Sequence, residues 1–436
     1  MNISVVGTSY VGLVSAACFA DLGANVLCVD TDARRISTLL YGGIPVYEPG
    51  LEALVKRNVD DGRLHFSTNL TDAYEHAPII FCAVETPPAA DGTTDLTQVV
   101  ALARSFGAQV TKPSTFIIRS TVPVGTASEV NRIIGEQIAA RSVDVQYDVV
   151  SNPDFLQEGT AIKDFMSPDR VIMGLSSKRA KAVMSRIYFP LKSNNFPIIY
   201  TDNTTAEMIK YASTSMLATR VSFMNEIANL CERVGADVNI VRRGVGTDSR
   251  IGSKYIYPGC GYGGTCFPKD IKDLIKIAKQ YNFSMDVLSA VDDVNTRQKH
   301  LLFDKLSRFY SGDLKGKTVA LWGLSFKPET DDMREAPSIV TLSQLMEAGC
   351  NVRVYDPVAM NECRTRWNNV YCGVDMYDAV KGADALLLLT EWRQFRLPNW
   401  DRVKESLKTP LVIDGRNIYN PQVMSELGFH YYCIGM

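Results

Sequence analysis

The 436-residue sequence contains only four histidines, and no Cys-x-x-Cys pair occurs in it. Its ten cysteines are scattered along the chain without a histidine cluster near them. We therefore expect no metal site, because zinc sites are built from closely spaced Cys and His ligands. The four histidines, at positions 65, 76, 300 and 430, lie outside every motif described below, which disfavours a histidine general base.

Runs of basic residues are also absent, and the formal net charge is -2. Nucleic acid and anionic membrane surfaces are therefore not expected as partners. No apolar stretch approaches the roughly 20 residues that cross a bilayer. The N-terminus begins with a strand pattern and lacks the basic segment of a signal peptide. Because scattered cysteines suit a reducing compartment, we predict a cytoplasmic protein.

The first half of the chain alternates between two patterns. Helical stretches separate several short apolar runs with the character of strands. These runs are Ile3–Val6, Val26–Val29, Ile79–Val84, Phe116–Ser120, Val149–Ser151 and Val171–Gly174. The alternation predicts an α/β fold in which helices cover both faces of a parallel sheet.

The pattern changes near residue 200. The stretch 204–207 has the sequence of a helix capping box, and the apolar spacing that follows predicts one helix of about 30 residues. A second alternation of strands and helices begins at Lys317. We therefore predict two Rossmann-like doubly wound parallel-sheet domains joined by a helical middle domain with one long helix. The predicted boundaries are 1-200, 201-299 and 300-436, with a linker at 300–316.

A dinucleotide-binding turn is indicated at Gly7-Thr-Ser-Tyr-Val-Gly12, which follows the first strand, and Asp30 ends the next strand. In such folds an acidic residue holds the adenosine ribose hydroxyls and repels a 2′-phosphate, which favours NAD. Arg35 either tolerates a phosphate there or faces the adenine or solvent. The motif departs from the glycine pattern at Ser9, whose Cβ crowds the pyrophosphate, so a turn in a fold that has lost its cofactor is the alternative.

Two further segments lie at the C-terminal ends of predicted strands, where doubly wound sheets bind ligands. They are Val84-Glu-Thr86-Pro87 and Ser120-Thr121-Val-Pro123. Each is either part of the cofactor site or a plain turn.

A candidate nucleophile lies in Gly261-Tyr-Gly-Gly-Thr-Cys266-Phe-Pro-Lys269-Asp270. Glycines at 263 and 264 allow close approach of a ligand, and the proline after the cysteine suits the first turn of a helix. A thiol at a helix N-terminus beside a lysine favours the thiolate. The alternative is a buried structural cysteine in a turn.

Several motifs in a fixed order carry a family resemblance. Besides the cysteine segment and the turn at Gly7, they include Ser120-Thr-Val-Pro, Ser151-Asn-Pro-Asp-Phe-Leu-Gln-Glu-Gly-Thr-Ala161, Glu207-Met-Ile-Lys210 and Gly246-Thr-Asp-Ser-Arg-Ile-Gly252. With these motifs the sequence resembles the nucleotide-sugar 6-dehydrogenases of the UDP-glucose/GDP-mannose dehydrogenase family, over essentially the whole chain.

The resemblance implies that a sugar C6 alcohol, that of UDP-glucose, is oxidised to a carboxylate with two NAD molecules in succession. Cys266 would form a thiohemiacetal, which is oxidised to a thioester and hydrolysed. Lys210 would stabilise the oxyanion, and Asp270 would orient or activate water. Arg250 would reach the substrate of a neighbouring subunit, which implies a homodimer or a higher homo-oligomer.

The resemblance assigns further residues to three overlapping groups. The expected catalytic residues are Cys266, Lys210, Asp270, Glu158, Thr121, Asp154 and Thr214. The expected NAD-binding residues are Gly7, Tyr10, Val11, Gly12, Asp30, Arg35, Thr86, Thr121, Glu158, Lys269 and Arg334. The expected substrate-binding residues are Asp154, Phe155, Leu156, Glu158, Lys210, Thr214, Arg250, Tyr255, Tyr257, Gly259, Gly263, Lys327 and Arg416.

Two positions depart from the family pattern. Asp154 stands where the family usually has Glu, and Thr214 stands where it usually has Asn, so a single hydroxyl replaces an amide donor. Three alternatives stay open: the same chemistry on GDP-mannose or a UDP-N-acetylhexosamine, a two-electron 3-hydroxy acid dehydrogenase that uses no thiol, and an inactive NAD-binding regulatory or scaffold protein.

Overall fold

The computed structural model describes residues 1–89 and 93–436. The chain forms two compact units, a first unit from Met1 to Ser213 and a second unit from Thr214 to Met436. None of the described helices is long and apolar enough to cross a membrane. The predicted division into three domains stays a prediction.

The first unit is an α/β domain built on an eight-stranded sheet. Its strands are β1 Asn2–Val6, β2 Asn25–Val29, β3 Leu64–Ser67, β4 Ile79–Cys82, β5 Ser114–Ile118, β6 Tyr147–Ser151, β7 Val171–Gly174 and β8 Ile198–Thr201. Its helices are α1 Tyr10–Asp21, α2 Ala33–Leu40, α3 Leu51–Asp60, α4 Leu70–His76, α5 Thr97–Gln109, α6 Thr126–Ala140, α7 Ala161–Met166 and α8 Lys178–Ile187, with a 3₁₀ helix at Phe189–Asn194.

The strand order is β3-β2-β1-β4-β5-β6-β7-β8. Its first six strands have the order of dinucleotide-binding sheets, which confirms the predicted class. Side chains of successive strand residues enter opposite cores: Val5 packs with the helix α1 residues, and Val6 packs with those of α5 and α6. The sheet is not wholly parallel, because β7 runs antiparallel to β6 and pairs with it only at Ser151 and Gly174.

The long helix predicted near residue 200 is present as α9, Asn203–Val234, with 32 residues. The predicted capping box is wrong. The side chain of Asp202 accepts the Thr205 amide at 2.8 Å and the Thr205 hydroxyl at 2.7 Å, so Asp202 caps the helix instead. The boundary between the two units falls within α9.

The second unit contains a helical segment followed by a second sheet. Its helices are α10 Val238–Gly246, α11 Phe267–Gln280, α12 Asp286–Gln298, α13 Leu301–Phe309, α14 Pro337–Glu347, α15 Met360–Arg366, α16 Met376–Val380, α17 Trp400–Ser406 and α18 Pro421–Glu426, with a 3₁₀ helix at Arg393–Phe395. Its strands are β9 Thr318–Trp322, β10 Asn351–Tyr355, β11 Tyr371–Cys372, β12 Ala385–Leu388, β13 Leu411–Asp414 and β14 His430–Tyr432.

The strands of the second sheet follow the order β11-β10-β9-β12-β13-β14, and all their pairings are parallel. This is again the order of a dinucleotide-binding sheet. The segment predicted as a linker at 300–316 is largely helical. Helix α13 covers most of it, and the side chains of Leu302 and Leu306 are fully buried in the core.

Each sheet requires a glycine directly after its first strand, Gly7 after β1 and Gly323 after β9. A Cβ at Gly7 would lie 2.3 Å from the Ala83 carbonyl oxygen, and one at Gly323 would lie 2.4 Å from Thr390 Cβ. Real Cβ atoms do not approach neighbours this closely, and both glycines have positive φ angles, 114° and 90°. The sheet edge where such folds bind ligands is therefore built the same way in both units.

Candidate active site

The turn before α1 has the features of a phosphate-binding site. A Cβ at Gly12 would lie 2.1 Å from the Gly7 carbonyl oxygen, so both glycines of the motif are required for packing. Helix α1 has no acidic residue in its first turn, and the Ser9 hydroxyl makes no capping hydrogen bond with the described residues. The amide groups of this turn, which include those of Tyr10 and Val11, are therefore suited to an anion such as the NAD pyrophosphate.

Asp30 directly follows strand β2, and Arg35 lies in the first turn of α2. Asp30 Oδ2 accepts the amide and the hydroxyl of Thr8, both at 2.7 Å. Arg35 Nη2 lies 2.8 Å from Glu85 Oε1, and Arg35 Nη1 lies 3.9 Å from Asp30 Oδ2. With three carboxylates around this guanidinium, those of Asp30, Asp32 and Glu85, a 2′-phosphate would meet negative charge there, so the site fits NAD better than NADP.

The two segments predicted at strand ends contact each other. Thr86 Oγ1 donates to the Thr121 carbonyl oxygen at 2.9 Å, and Ser120 Oγ donates to the Val84 carbonyl oxygen at 2.6 Å. These bonds fix the positions of both loops at the carboxyl edge of the sheet, where the motif at Gly7 also lies.

Lys210 is buried in the first unit and lies against the segment that begins at Asp154. Its ammonium group donates to the Asp154 carbonyl oxygen at 2.7 Å and lies 3.8 Å from the Asp154 carboxylate. The Phe155 ring centroid is 5.4 Å from Lys210 Nζ and 4.0 Å from the Arg170 guanidinium. Leu156 donates its amide to Asp154 Oδ1 at 3.2 Å, so the carboxylate also shapes its own loop.

Glu207, which the sequence analysis placed in a capping box, has a role in the site that the sequence reasoning missed. Its buried carboxylate accepts the Gly125 amide at 2.6 Å and the Ala127 amide at 2.8 Å, at the N-terminus of α6. Burial raises the pKa of the Glu207 carboxyl, and these amides oppose that rise. Because Lys210 lies one turn along the same helix, Glu207 fixes it relative to the loop of Thr121. A small cavity is lined by Ile118, Ser120, Thr121, Val122, Ser151, Pro153, Glu207 and Lys210.

Cys266 belongs to the second unit, where its side chain is exposed. It precedes α11, and Pro268 lies in the first turn of that helix, as the sequence predicts. The alternative of a buried structural cysteine is therefore wrong for this thiol. All ten cysteines lie in the described part of the chain, and none of them forms a disulfide.

The two residues in the first turn of α11 after Pro268 are Lys269, which is partly buried, and Asp270, which is buried. Lys269 Nζ lies 3.1 Å from Asp270 Oδ1 and 3.3 Å from Asp273 Oδ2. Burial lowers the pKa of Lys269, but these carboxylates outweigh that effect and raise it, so the lysine stays cationic. The α11 N-terminus adds positive potential at Cys266.

The Asp270 carboxylate has an unusual environment. Its side chain is fully buried, and Oδ1 lies 3.1 Å from Lys269 Nζ. Oδ2 makes no hydrogen bond with the described residues. A buried carboxylate normally accepts several hydrogen bonds. This arrangement suits a group that orients a water molecule or a substrate hydroxyl.

Packing within the second unit requires the glycines near Cys266, and the predicted approach of a ligand to them stays a prediction. A Cβ at Gly263 would lie 2.5 Å from the Glu335 carbonyl oxygen, and one at Gly264 would lie 2.8 Å from Phe326 Cζ. At Gly259 a Cβ would approach Arg416 Nη1 to 3.1 Å.

Arg416 connects the loop of Gly259 to the second sheet. It donates from Nε to the Leu389 carbonyl oxygen at 2.6 Å, from Nη2 to that of Phe326 at 3.3 Å and from Nη1 to that of Gly261 at 3.4 Å. Lys327 follows Phe326 in the chain, and its ammonium group lies 5.5 Å from that ring centroid. Arg416 therefore positions the loop that carries Lys327.

The remaining predicted residues of the second unit differ in exposure. Arg250 pairs with Asp248 at 2.6 Å, yet its side chain is 87% exposed. Arg334 pairs with Asp332 at 2.8 Å and is also exposed. Thr214 is buried, Tyr255 has a positive φ of 60°, and Tyr257 is exposed beneath the Arg242 guanidinium.

Comparisons with known proteins cover the whole chain. Three profiles of the UDP-glucose/GDP-mannose dehydrogenase family match it: the NAD binding domain at residues 1–192, the central domain at 204–297 and the UDP binding domain at 320–421. A UDP-glucose 6-dehydrogenase of Pseudomonas aeruginosa is 46% identical, with 100% of this chain and 97% of that protein covered. One of Rhizobium meliloti is 45% identical, with 100% and 99% covered. The solved structure of a UDP-glucose dehydrogenase from Pyrobaculum islandicum superposes with a TM-score of 0.91 at 34% identity, with 100% and 97% covered.

Proposed function

The chain belongs to the UDP-glucose/GDP-mannose dehydrogenase family, and from this membership we propose that it oxidises UDP-glucose to UDP-glucuronate. The reaction is an NAD-dependent four-electron oxidation at C6 of the sugar. The single observation that carries the proposal within the fold is an exposed thiol, Cys266, at a helix N-terminus with a buried carboxylate, Asp270, in the first turn of that helix.

The nucleophile has a defined part in this chemistry. NAD, when bound, supplies the acceptor for each pair of electrons. The first oxidation converts the C6 alcohol to an aldehyde, and Cys266 Sγ then forms a bond to the aldehyde carbon. The second oxidation converts this adduct to a thioester. Attack by water breaks the C–S bond, releases the thiolate and leaves the carboxylate.

Five groups are proposed to assist these steps. The Lys210 ammonium stabilises the negative oxygen of the adduct, because a charge in a water-poor site acts strongly. The Asp270 carboxylate orients the water that attacks the thioester, in line with an Oδ2 atom that makes no hydrogen bond with the described residues. Glu158 and Thr121 belong to the water network and the nicotinamide side, and Thr214 supplies a hydroxyl donor.

The remaining roles concern binding. The glycine turn of α1 and Asp30 hold the pyrophosphate and the ribose of NAD, together with Tyr10, Val11, Arg35, Thr86, Lys269 and Arg334. The segment Asp154–Leu156, with its buried acid, grips the sugar. Lys327 and Arg416, the loop at Gly259 and Gly263, and the tyrosines at 255 and 257 bind the nucleotide part of the substrate.

The proposal is tested by NADH stoichiometry. The purified protein is incubated with NAD and UDP-glucose, and in parallel with GDP-mannose and UDP-N-acetylhexosamines. We expect two NADH per sugar acid with UDP-glucose; one NADH per substrate would contradict the proposal. Cys266→Ser should release little acid, whereas Cys350→Ser, a half-buried control thiol, should retain turnover. Normal four-electron turnover of Cys266→Ser would refute the covalent mechanism.

We further propose a homodimer, with Arg250 reaching the neighbouring subunit. Supporting this, Met216, Phe223 and Leu230 recur every seven residues along α9 and are 62%, 54% and 54% exposed, which is the spacing of a helix–helix contact. Phe223→Glu should therefore yield a monomer in light scattering, and Leu397→Glu, an isolated exposed leucine, should not. A wild-type monomer at micromolar concentration would contradict it. We also propose a cytoplasmic location, because scattered cysteines suit a reducing compartment.

A further inference from the structure

A buried carboxylate outside the motifs described above, that of Glu48, lies between α2 and α3. Its side chain is 6% exposed. It accepts the Gly159 amide at 2.6 Å and the Ala161 amide at 2.7 Å, and it also accepts the Tyr10 hydroxyl. All of these residues belong to the first unit.

Tyr10 is the first residue of α1 and therefore stands at the turn proposed to bind NAD. Its hydroxyl lies 3.2 Å from the Gln157 carbonyl oxygen as well. Burial, and then the hydrogen bond to Glu48, raise the pKa of Tyr10 above its ordinary value, so the hydroxyl stays a donor. One hydroxyl thus joins the cofactor helix to both Glu48 and the loop of residues 157–161.

The position of Glu158 within this loop is decisive. The residue before it, Gln157, accepts a hydrogen bond from Tyr10, and the residue after it, Gly159, donates one to Glu48. Gly159 also has a φ of 84°, a backbone conformation that residues with a side chain rarely adopt. The backbone on both sides of Glu158 is therefore fixed by the same pair of side chains.

We propose that Glu48 and Tyr10 are positioning residues that hold Glu158 in its productive place and connect it to the first turn of α1. This inference rests on the proposed function, because it takes Glu158 as a participant in the reaction. The alternative is that Glu48 only caps the short helix α7, in which case its loss lowers stability without a specific effect on Glu158.

Four proteins distinguish these cases: wild type, Glu48→Gln, Glu158→Gln and the double variant. We expect kcat to fall at least about tenfold in each single variant, because a misplacement of about 1 Å in an active site can lower the rate by about a hundredfold. The double variant should be within about twofold of Glu158→Gln, since a residue that acts through Glu158 has nothing to add once Glu158 is gone. The dissociation constant for NAD should change less than about threefold.

Tyr10→Phe provides a second test that leaves the Glu48 bonds to Gly159 and Ala161 in place. It should lower kcat in the wild-type background and have little effect in the Glu158→Gln background, and it carries the test if Glu48→Gln does not fold. The matched control is Ser177→Ala, which removes the cap of α8, where Ser177 accepts the Ala180 amide at 2.9 Å. This control should lower the thermal midpoint and leave kcat unchanged.

Three results would overturn the inference: wild-type kcat in Glu48→Gln, wild-type kcat in Glu158→Gln, or independent losses that multiply in the double variant. None of these is confused with failure of the proposed function, because that failure would appear in the wild-type protein as an absence of UDP-glucose turnover.

Discussion

Asp356 occupies in the second sheet the place that Asp30 has in the first, directly after the second strand. Its side chain is 1% exposed and accepts six hydrogen bonds. Four reach Oδ2, from the Leu324 amide, the Ser325 amide and hydroxyl, and Trp392 Nε1. Two reach Oδ1, from the amides of residues 358 and 359. The carboxylate is therefore saturated by the protein, and we expect Asp356→Asn to destabilise the second unit.

The magnitude follows from the two oxygens. The asparagine side chain of the variant has two orientations, and the less unfavourable one places its NH₂ group at the Oδ1 position, because only two hydrogen bonds reach that atom. The two backbone amides that donate to Oδ1 then lose their acceptor. Hydrogen bonds to a charged group contribute about 1.5–3 kcal/mol each, and removal of a buried charge offsets part of that loss. We expect a loss of about 3 kcal/mol in the free energy of unfolding. With a slope of about 3 kcal/mol/M, the urea midpoint should fall by about 1 M.

Tryptophan fluorescence is the appropriate assay because all four tryptophans, at 322, 367, 392 and 400, lie in the second unit. Asp375→Asn is the matched control, since Asp375 caps α16 through one amide, that of Asp378 at 2.7 Å, and Asn caps a helix about as well as Asp. A midpoint for Asp356→Asn within about 0.2 M of wild type would refute the reasoning, since that corresponds to less than about 1 kcal/mol.

Two further predictions concern the loop before Cys266 and the pH dependence of stability. Gly264→Ala should lower stability by about 2 kcal/mol and raise KM for the nucleotide sugar, because the new methyl displaces Phe326. The control is Gly312→Ala, which has a positive φ but no neighbour within 4 Å and should leave KM unchanged. An equal KM in both variants would contradict the explanation. Although burial raises it, nearby lysine ammonium groups hold the pKa of Glu335 below its ordinary value of 4.5. The stabilisation of the fold by the ionised Glu335 carboxylate is therefore present above pH 4.5 and is lost as the pH falls further. The thermal midpoint of Glu335→Gln should accordingly differ from that of wild type at neutral pH and approach it in acid. A difference that stays constant with pH would contradict the assignment.

Local sequence patterns predicted most of the fold. The apolar strands with long buried runs, such as β1 and β4, were identified because a fully buried parallel strand has a continuous apolar sequence. The helix α9 was identified because its apolar spacing persists for many turns. The sequence did not identify strands β3, β8, β11 and β14. These strands are short and at least partly exposed, so their apolar residues form no distinctive pattern.

The sequence by itself determined the family, the NAD turn and the order of the motifs, because these are properties of residues close together in the chain. It also determined that Cys266 precedes a helix, since Pro268 and the apolar spacing that follows act locally. The roles of the glycines beside it were decided by distant partners, Glu335 and Phe326.

Only the tertiary structure decided which charges are available. Arg35 is paired with Glu85, Lys269 is paired with two carboxylates, and Arg416 is bound to backbone carbonyl groups. The Glu48 carboxylate accepts hydrogen bonds from Tyr10 and Gly159, which lie 38 and 111 positions away in the chain. Hydrogen bonds and ion pairs depend on distances of a few ångströms, and chain folding sets such distances between residues that the sequence separates.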